Sequence, residues 1–413
     1  MKKAAFLGAA LTLILLLSGC SDPDVGSGTT GTETESESAF ETESAFETES
    51  VTESEHESEL ESDTDTETET EAETEIKQYT RVDAEGEIDG DGDYVLFGSW
   101  PQSEVSDGEL TATLNGLAGT LPVNGENGAW TSYEYYVGSA STTDFMWYQD
   151  VELEGETYRG VYFTAYRPIH TGAPANEANS WQDNHSYATG TVYWFKWEPL
   201  TWRILAEESG NALLLCEMLI DSQAYQNRYT ITDNAYAVDD AGEILLDGDG
   251  NKVYANSYSY STIRAWLADT FYATAFTDLQ REIVQLTLLD NSAASTTDAS
   301  GTLSTSDDYV CDNTEDHVFL LSENEITRAA YGFGSYDAND PARLKKTTAY
   351  ANVQGAQTHA GDYEGNGWWW LRSPHYQSMG EYACEVYNGG ETFGSNNVGY
   401  TTYGICPALW IKL

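Results

Sequence analysis

The chain opens on an apolar run, Ala4 to Leu17, behind Lys2 and Lys3. A spanning helix needs about 20 apolar residues to cross a bilayer, so this shorter run has the length and flanks of an export signal. From Ser21 to Ile76 the pattern is polar throughout. Glu alternates with Thr and Ser, and Ser-Ala-Phe-Glu-Thr-Glu occurs at Ser38 and again at Ser44. Period-2 alternation signals a strand only when one face is apolar, and here neither is. Like charges at every second position repel, and little apolar area is available to offset a backbone entropy cost of about 1 to 2 kcal/mol per residue. The segment reads as an extended, disordered acidic stalk.

Past residue 80 the apolar positions take on strand and helix spacing. Asp93 to Gly98 is a short apolar strand that Pro101 is expected to stop. Asp150 to Arg167 alternates, with Val161, Phe163 and Ala165 on one face and Tyr162, Thr164 and Tyr166 on the other. Thr191 to Leu205 predicts two strands broken near Pro199, Ala212 to Ile220 another, and Asp247 to Asn251 a hairpin turn. Ile263, Trp266, Leu267, Phe271 and Ala275 recur at helical spacing behind Ser261 as N-cap. Thr277 with Gln280, and Ser322 with Glu325, have capping-box spacing. Trp368 to Pro374 and Pro407 to Ile411 return to strands. Strands flanking a helical middle predict an α+β fold, a single ectodomain of mostly antiparallel strands with two or three packed helices.

Charge narrows the partners. The formal net charge is -51, and 21 of the 69 acidic residues lie in the stalk, so the remainder is acidic too. Nucleic acid and anionic membrane surfaces both demand basic patches and are excluded. Of five cysteines, Cys20 ends Leu17-Ser-Gly-Cys20, which resembles the lipobox of bacterial lipoproteins. That resemblance implies cleavage before Cys20 and acylation of its thiol, with the membrane as partner through the lipid. The organisation is then a signal peptide over 1–19, a lipidated stalk over 20–80 and an ectodomain over 81–413, outside the cytoplasm. Cys216, inside Ala212-Leu-Leu-Leu-Cys216, reads as a buried thiol. Cys384 and Cys406 flank a glycine-rich stretch and are the candidate disulfide pair.

Recognisable catalytic chemistry is sparse. His170, His185, His317, His359 and His375 show no HExxH spacing, and neither a GxSxG elbow nor a P-loop occurs. No cofactor is implied. Asp247, Asp249 and Asn251 match the first three ligands of an EF-hand loop, but Lys252 replaces its glycine and Tyr258 its closing Glu. Calcium there is the weaker reading beside a solvated turn.

Seven blocks in order, namely Leu96-Phe-Gly-Ser-Trp-Pro-Gln102, Val192 to Leu205, Ala212-Leu-Leu-Leu215, Ile263-Arg-Ala-Trp-Leu267, Val318-Phe-Leu-Leu-Ser322, Trp369-Trp-Leu-Arg-Ser-Pro374 and Pro407-Ala-Leu-Trp410, resemble an uncharacterised bacterial family of secreted and lipid-anchored proteins, domain of unknown function 6273. Cys406 stands where that family's pattern has Arg, which makes the Cys384–Cys406 bridge more attractive. The C-terminal layout is similar to the C-type-lectin-like fold of formylglycine-generating enzymes. By that likeness His375, Tyr376, Tyr387, Asn388, Asn396, Asn397, Tyr400 and Tyr403 would line a ligand surface, with Trp369 alternating against Trp368 and Trp370. Arg372 beside them reads first as a structural ion-pair partner. The expectation is a surface-anchored lipoprotein with a non-catalytic ectodomain that binds a glycan or a protein. The alternatives are a hydrolase of cell wall or polysaccharide and a structural surface module. Two buried, facing carboxylates would favour hydrolysis, and an aromatic groove with convergent polar groups would favour binding.

Overall fold

Strands rich in Val, Leu, Tyr and Trp build one eight-stranded, antiparallel sheet in the computed structural model. The residues described are 78–413 apart from 124–125, 138–139, 143–144, 174, 176–180, 232–233, 377–379 and 393. The expected export signal, Cys20 and the expected stalk up to residue 77 lie outside them. The sheet is organised by the 17-residue strand Val192–Glu208. Its first half pairs with Glu156–Phe163 and its second with Asn211–Cys216, while Tyr94–Glu104 runs along its other edge. Met146–Leu153 and Thr131–Ser132 extend one side, Thr80–Val82 caps Tyr94–Glu104, and the closing strand Ala408–Lys412 pairs with Asn211–Cys216.

Neither proline breaks its strand as expected. Tyr94–Glu104 runs through Pro101, and Val192–Glu208 is continuous through Pro199. The two segments meet at Ser99 opposite Pro199 and at Pro101 opposite Trp197, between register shifts. Proline sits at such irregularities because no regular ladder hydrogen bond is lost there. The alternating stretch from Asp150 is a hairpin, Met146–Leu153 with Glu156–Phe163. It turns at Glu154 and Gly155, both at positive φ as a two-residue hairpin loop requires.

Both faces of this sheet are covered. Val161, Phe163, Val95, Phe97 and Trp202 face the main core. Trp147, Tyr158, Tyr162 and Trp194 point the other way and pack on Leu114 and Ala118 of a helix, Gly108–Ala118, absent from the expected elements. Asp107 caps that helix by accepting from the Leu110 N–H at 2.8 Å. Its buried side presents one apolar residue every four among polar neighbours, too sparse a stripe to register in the sequence.

The helical middle forms behind its caps. The Ser261 hydroxyl accepts from Arg264 N–H, and Ile263, Leu267, Phe271 and Ala275 are all buried along one face. The run is α-helical over Thr262–Trp266, loosens to a π turn over Leu267–Phe271, and resumes over Tyr272–Ala275. The capping boxes of Thr277 with Gln280 and of Ser322 with Glu325 are both formed. The helix after Thr277 stops at Arg281, short of Val284 and Leu286. There the backbone turns to the closing strand instead, with Lys412 N–H on Ile283 O and Gln285 N–H on Trp410 O.

A second sheet of Trp369–Pro374, Tyr382–Val386 and Gly394–Asn397 stands beside the first. Trp369 and Trp370 point to opposite faces of their strand and both are fully buried. All four thiols of the described residues are free, which corrects the expected Cys384–Cys406 disulfide. Cys384 pairs with Ser395 inside the small sheet and donates to Pro374 O, whereas Cys406 abuts the main sheet and donates to Cys216 O at 3.3 Å. Reductant is therefore expected to leave the melting temperature unchanged. Alkylation in denaturant without reductant should label Cys216, Cys311, Cys384 and Cys406 alike, and protection of two of them would contradict this.

Asp247–Asn251 is a turn built without a ligand. Asp247 Oδ1 accepts from Asp249 N–H and Asn251 N–H at 3.0 and 2.8 Å, and Gly250 takes φ +85°. The same arrangement closes Asp83–Glu87 and Asp239–Glu243, where the neighbours are Ala and Glu. The EF-hand-like spacing at Asp247, Asp249 and Asn251 fits a hairpin turn that occurs three times among the described residues, with the first oxygen occupied by backbone donors. Among the described residues no group of three His, Cys, Asp or Glu side chains is placed to hold a metal.

Candidate functional site

Of the C-terminal residues expected to line a ligand surface, Trp369, Arg372, Asn388 and Tyr403 are buried, and His375, Tyr376, Tyr387, Asn396, Asn397 and Tyr400 are half-buried. Trp369 donates its indole N–H to Arg343 O at 3.3 Å. Arg372 is 2 % exposed and clasped by Glu325, with Leu320 O accepting a further bond. Asn388 accepts from the Trp368 indole at 2.5 Å. His375 and Tyr376, with ring centroids 4.9 Å apart, line a cavity of about 10 Å³ with Glu323 and Cys384, room for a single water.

Two other groups form. Tyr387, Asn396 and Tyr403 surround Glu385, which the sequence reading missed. Asn396 donates to the Tyr403 hydroxyl at 2.6 Å, and the Tyr403 ring lies 4.5 Å from Trp370. Neither Glu385 oxygen has a well-formed hydrogen bond, and burial pushes its carboxyl up to about 8 against the pull of those three neighbours. Asn397 is a hub at the sheet edge. Its Oδ1 meets His170 Nε2 at 2.9 Å and the Tyr229 hydroxyl at 2.8 Å, its amide donates to Glu381 at 3.2 Å, and Tyr400 packs edge-on against His170. These contacts tie loops together.

Glu323 is the second buried carboxyl pushed up to about 8 by burial. It shares its cavity with Cys384, whereas Glu385, the next residue along the strand, points to the opposite face. The two acids therefore do not face each other across a substrate space.

An open cleft lies elsewhere, where the segment after Glu156–Phe163 meets the segment after Met218–Leu219 and the helical run. Its volume is about 300 Å³, and Arg167, Asp221, Gln223, Asn227, Tyr133 and Trp266 are among its walls. The π turn Leu267–Phe271 contributes Asp269 and Thr270 to the rim, a distortion that recurs at functional sites. Arg167 Nη1 is held by Ser222 O at 3.0 Å and by Gln354 O at 2.9 Å, which aims the guanidinium. Asp221 is 6 % exposed, and its Oδ1 accepts from Ser222 N–H at 2.7 Å. Burial pushes Asp221 up to about 6, opposed by that N–H and by Arg167 and Arg159. Burial likewise lowers Arg167 from the usual arginine value, with Asp221 opposing.

A rigid polar wall backs the cleft. The Tyr133 and Tyr350 hydroxyls meet at 2.8 Å. Arg159 lies over the Tyr148 and Trp197 rings at 4.5 and 4.9 Å and forms a fork with Asp150, Nε to Oδ1 at 2.8 Å and Nη2 to Oδ2 at 2.7 Å. Such a caged ion pair is fixed and leaves its charge spent, so Arg167 is the arginine free to meet a ligand.

The architecture defines an α+β protein in which a long central strand joins an N-terminal part, with helix Gly108–Ala118, to a C-terminal half that holds the helical run behind Ser261, the small sheet and most of the cleft. Residues 209–413 match the family model described as Domain of unknown function (DUF6273), and this C-terminal part of the chain belongs to that family. No curated protein and no solved structure matches the chain. The blocks Leu96–Gln102 and Val192–Leu205 precede the matched span. Asp221, Gln223, Asn227 and Trp266 lie inside it, and Tyr133 and Arg167 lie outside it.

Proposed function

We propose that this protein is a lipid-anchored surface protein whose folded part is a binding module, and that the Arg167–Asp221 cleft is its recognition site. The observation that supports this best is the cleft itself, the meeting place of two desolvated charges, neutral amides and the Trp266 ring in a volume at the low end for small-molecule sites. The stalk would hold the module away from the bilayer, and the acidic surface favours neutral or cation-bearing ligands of the envelope over polyanions. Hydrolysis by a carboxylate pair is disfavoured. Glu323 and Glu385 do not face each other, and the cleft's other acids, Glu134 and Asp269, are exposed.

The test is an array of glycans, amino acids and peptidoglycan fragments probed with the full chain and with Arg167→Ala. Saturable binding that falls at least about tenfold in the variant is expected, the loss of roughly 1.4 kcal/mol or more. Binding unchanged by the substitution would move the site away from this cleft.

A further inference from the structure

Arg167 and Asp221, the two inner charges of the cleft, have opposite sign, influence each other, and stand beyond the 4.0 Å of an ion-pair contact. Elsewhere in the fold, cation and acid close on each other, as Arg159 does on Asp150 and Arg372 on Glu325. Arg167 is instead held open by its Nη1 contacts to backbone carbonyls and to Gln354 Oε1 at 3.2 Å. Among the described residues its Nε and Nη2 meet no acceptor, and these two nitrogens form the side-on fork that takes a carboxylate in two parallel bonds. Asp221 commits Oδ1 to the Ser222 N–H, and among the described residues its second oxygen meets no donor.

Resting on the binding reading above, we propose that the ligand is a zwitterion, an α-amino acid or a wall fragment ending in one, with its carboxylate on Arg167 and its ammonium on Asp221. The geometry disfavours simpler ligands on electrostatic grounds. An anion alone leaves Asp221 unmet and repelling, a cation alone does the same at Arg167, and a neutral sugar leaves two desolvated charges uncompensated. A cleft of about 300 Å³ holds the space of roughly ten waters, enough for one amino acid with a modest side chain and too little for an extended oligosaccharide. Trp266 gives that side chain an apolar wall, while Gln223, Asn227 and Thr262 offer neutral partners.

The test is titration calorimetry of the full chain with L-alanine, D-alanine and L-leucine, beside acetate, methylamine and the neutral disaccharide chitobiose. At least one amino acid is expected to bind, with acetate and methylamine each at least tenfold weaker. Asp221→Asn keeps the acceptor for Ser222 N–H and removes the charge; Arg167→Lys keeps the charge and removes the fork. Each is expected to weaken amino-acid binding tenfold or more with little change in melting temperature. Chitobiose binding without amino-acid binding would overturn the zwitterion and leave the binding module standing. Amino-acid binding indifferent to both substitutions would overturn this placement, and silence from all six probes would count against the zwitterion and the cleft together.

Discussion

Raising the pH from 6.5 to 8.5 is expected to lower the melting temperature by several degrees, and Glu323→Gln/Glu385→Gln to remove most of that drop. Both carboxyls are pushed by burial up to about 8, far above the range of an unfolded glutamic acid. The folded state therefore keeps two protons that the unfolded chain has already lost, and stability falls as the pH climbs from the unfolded value through 8. The slope is about 1.4 kcal/mol per pH unit for each group until it ionises. The chosen window lies above Asp221, which burial places near 6, and above His185 and His375, whose buried rings resist protonation and act in the opposite sense only in acid. Repulsion within a chain of net charge -51 also grows with pH, and the double variant separates the two effects. Gln keeps the shape and cannot ionise, so the variant should exceed the parent in stability at pH 8.5. A flat parent profile, or an undiminished slope in the variant, would show that neither acid is held neutral.

Replacing Arg372 with Met should be the most damaging single change, costing on the order of 3 to 5 kcal/mol. Glu325 lies within the fold, where burial alone would raise its carboxyl; Arg372 outweighs this and holds it below the usual range. The guanidinium also donates to Leu320 O at 2.9 Å and Asp290 O at 3.3 Å, so its loss orphans two carbonyls together with the acid. Glu325 in turn accepts from Ser322 N–H at 2.8 Å, the return bond of the capping box. Denaturant unfolding of Arg372→Met, Glu325→Gln and the double variant measures the coupling. The double variant is expected to be more stable than Arg372→Met, because it no longer buries an unpaired charge. Equal stability of these two would mean that Glu325 is solvated.

The capping boxes, the Ser261 cap, the hairpin at Asp247 and the α+β class were legible because each is written in local residue types whose geometry the backbone obeys. The continuity of Val192–Glu208 through Pro199 was not, since a proline at a register shift is distinguishable from a strand end only once the partner strand is known. Helix Gly108–Ala118 was hidden by its narrow apolar stripe. The C-terminal Tyr and Asn residues carry the composition of binding loops, yet Tyr403 and Asn388 are buried around acids and indoles; composition says what a side chain offers and not which way it faces. Arg167 and Asp221 lie in the loops that follow Glu156–Phe163 and Met218–Leu219, where ligand-contacting residues are often found, but they lie 54 positions apart and no local spacing links them.

The closing strand Ala408–Lys412 bears on how the fold is completed. Asn211–Cys216 acquires its outer partner, and Phe319 its backbone bonds to Ala408, only when residues 408–412 are in place. Without them the main sheet is unsealed along that side, and Leu213, Leu214 and Leu215 lose part of their cover. A variant lacking residues 408–413 would be a molecule with no way to shut, and a quality-control protease could recognise it by that edge alone.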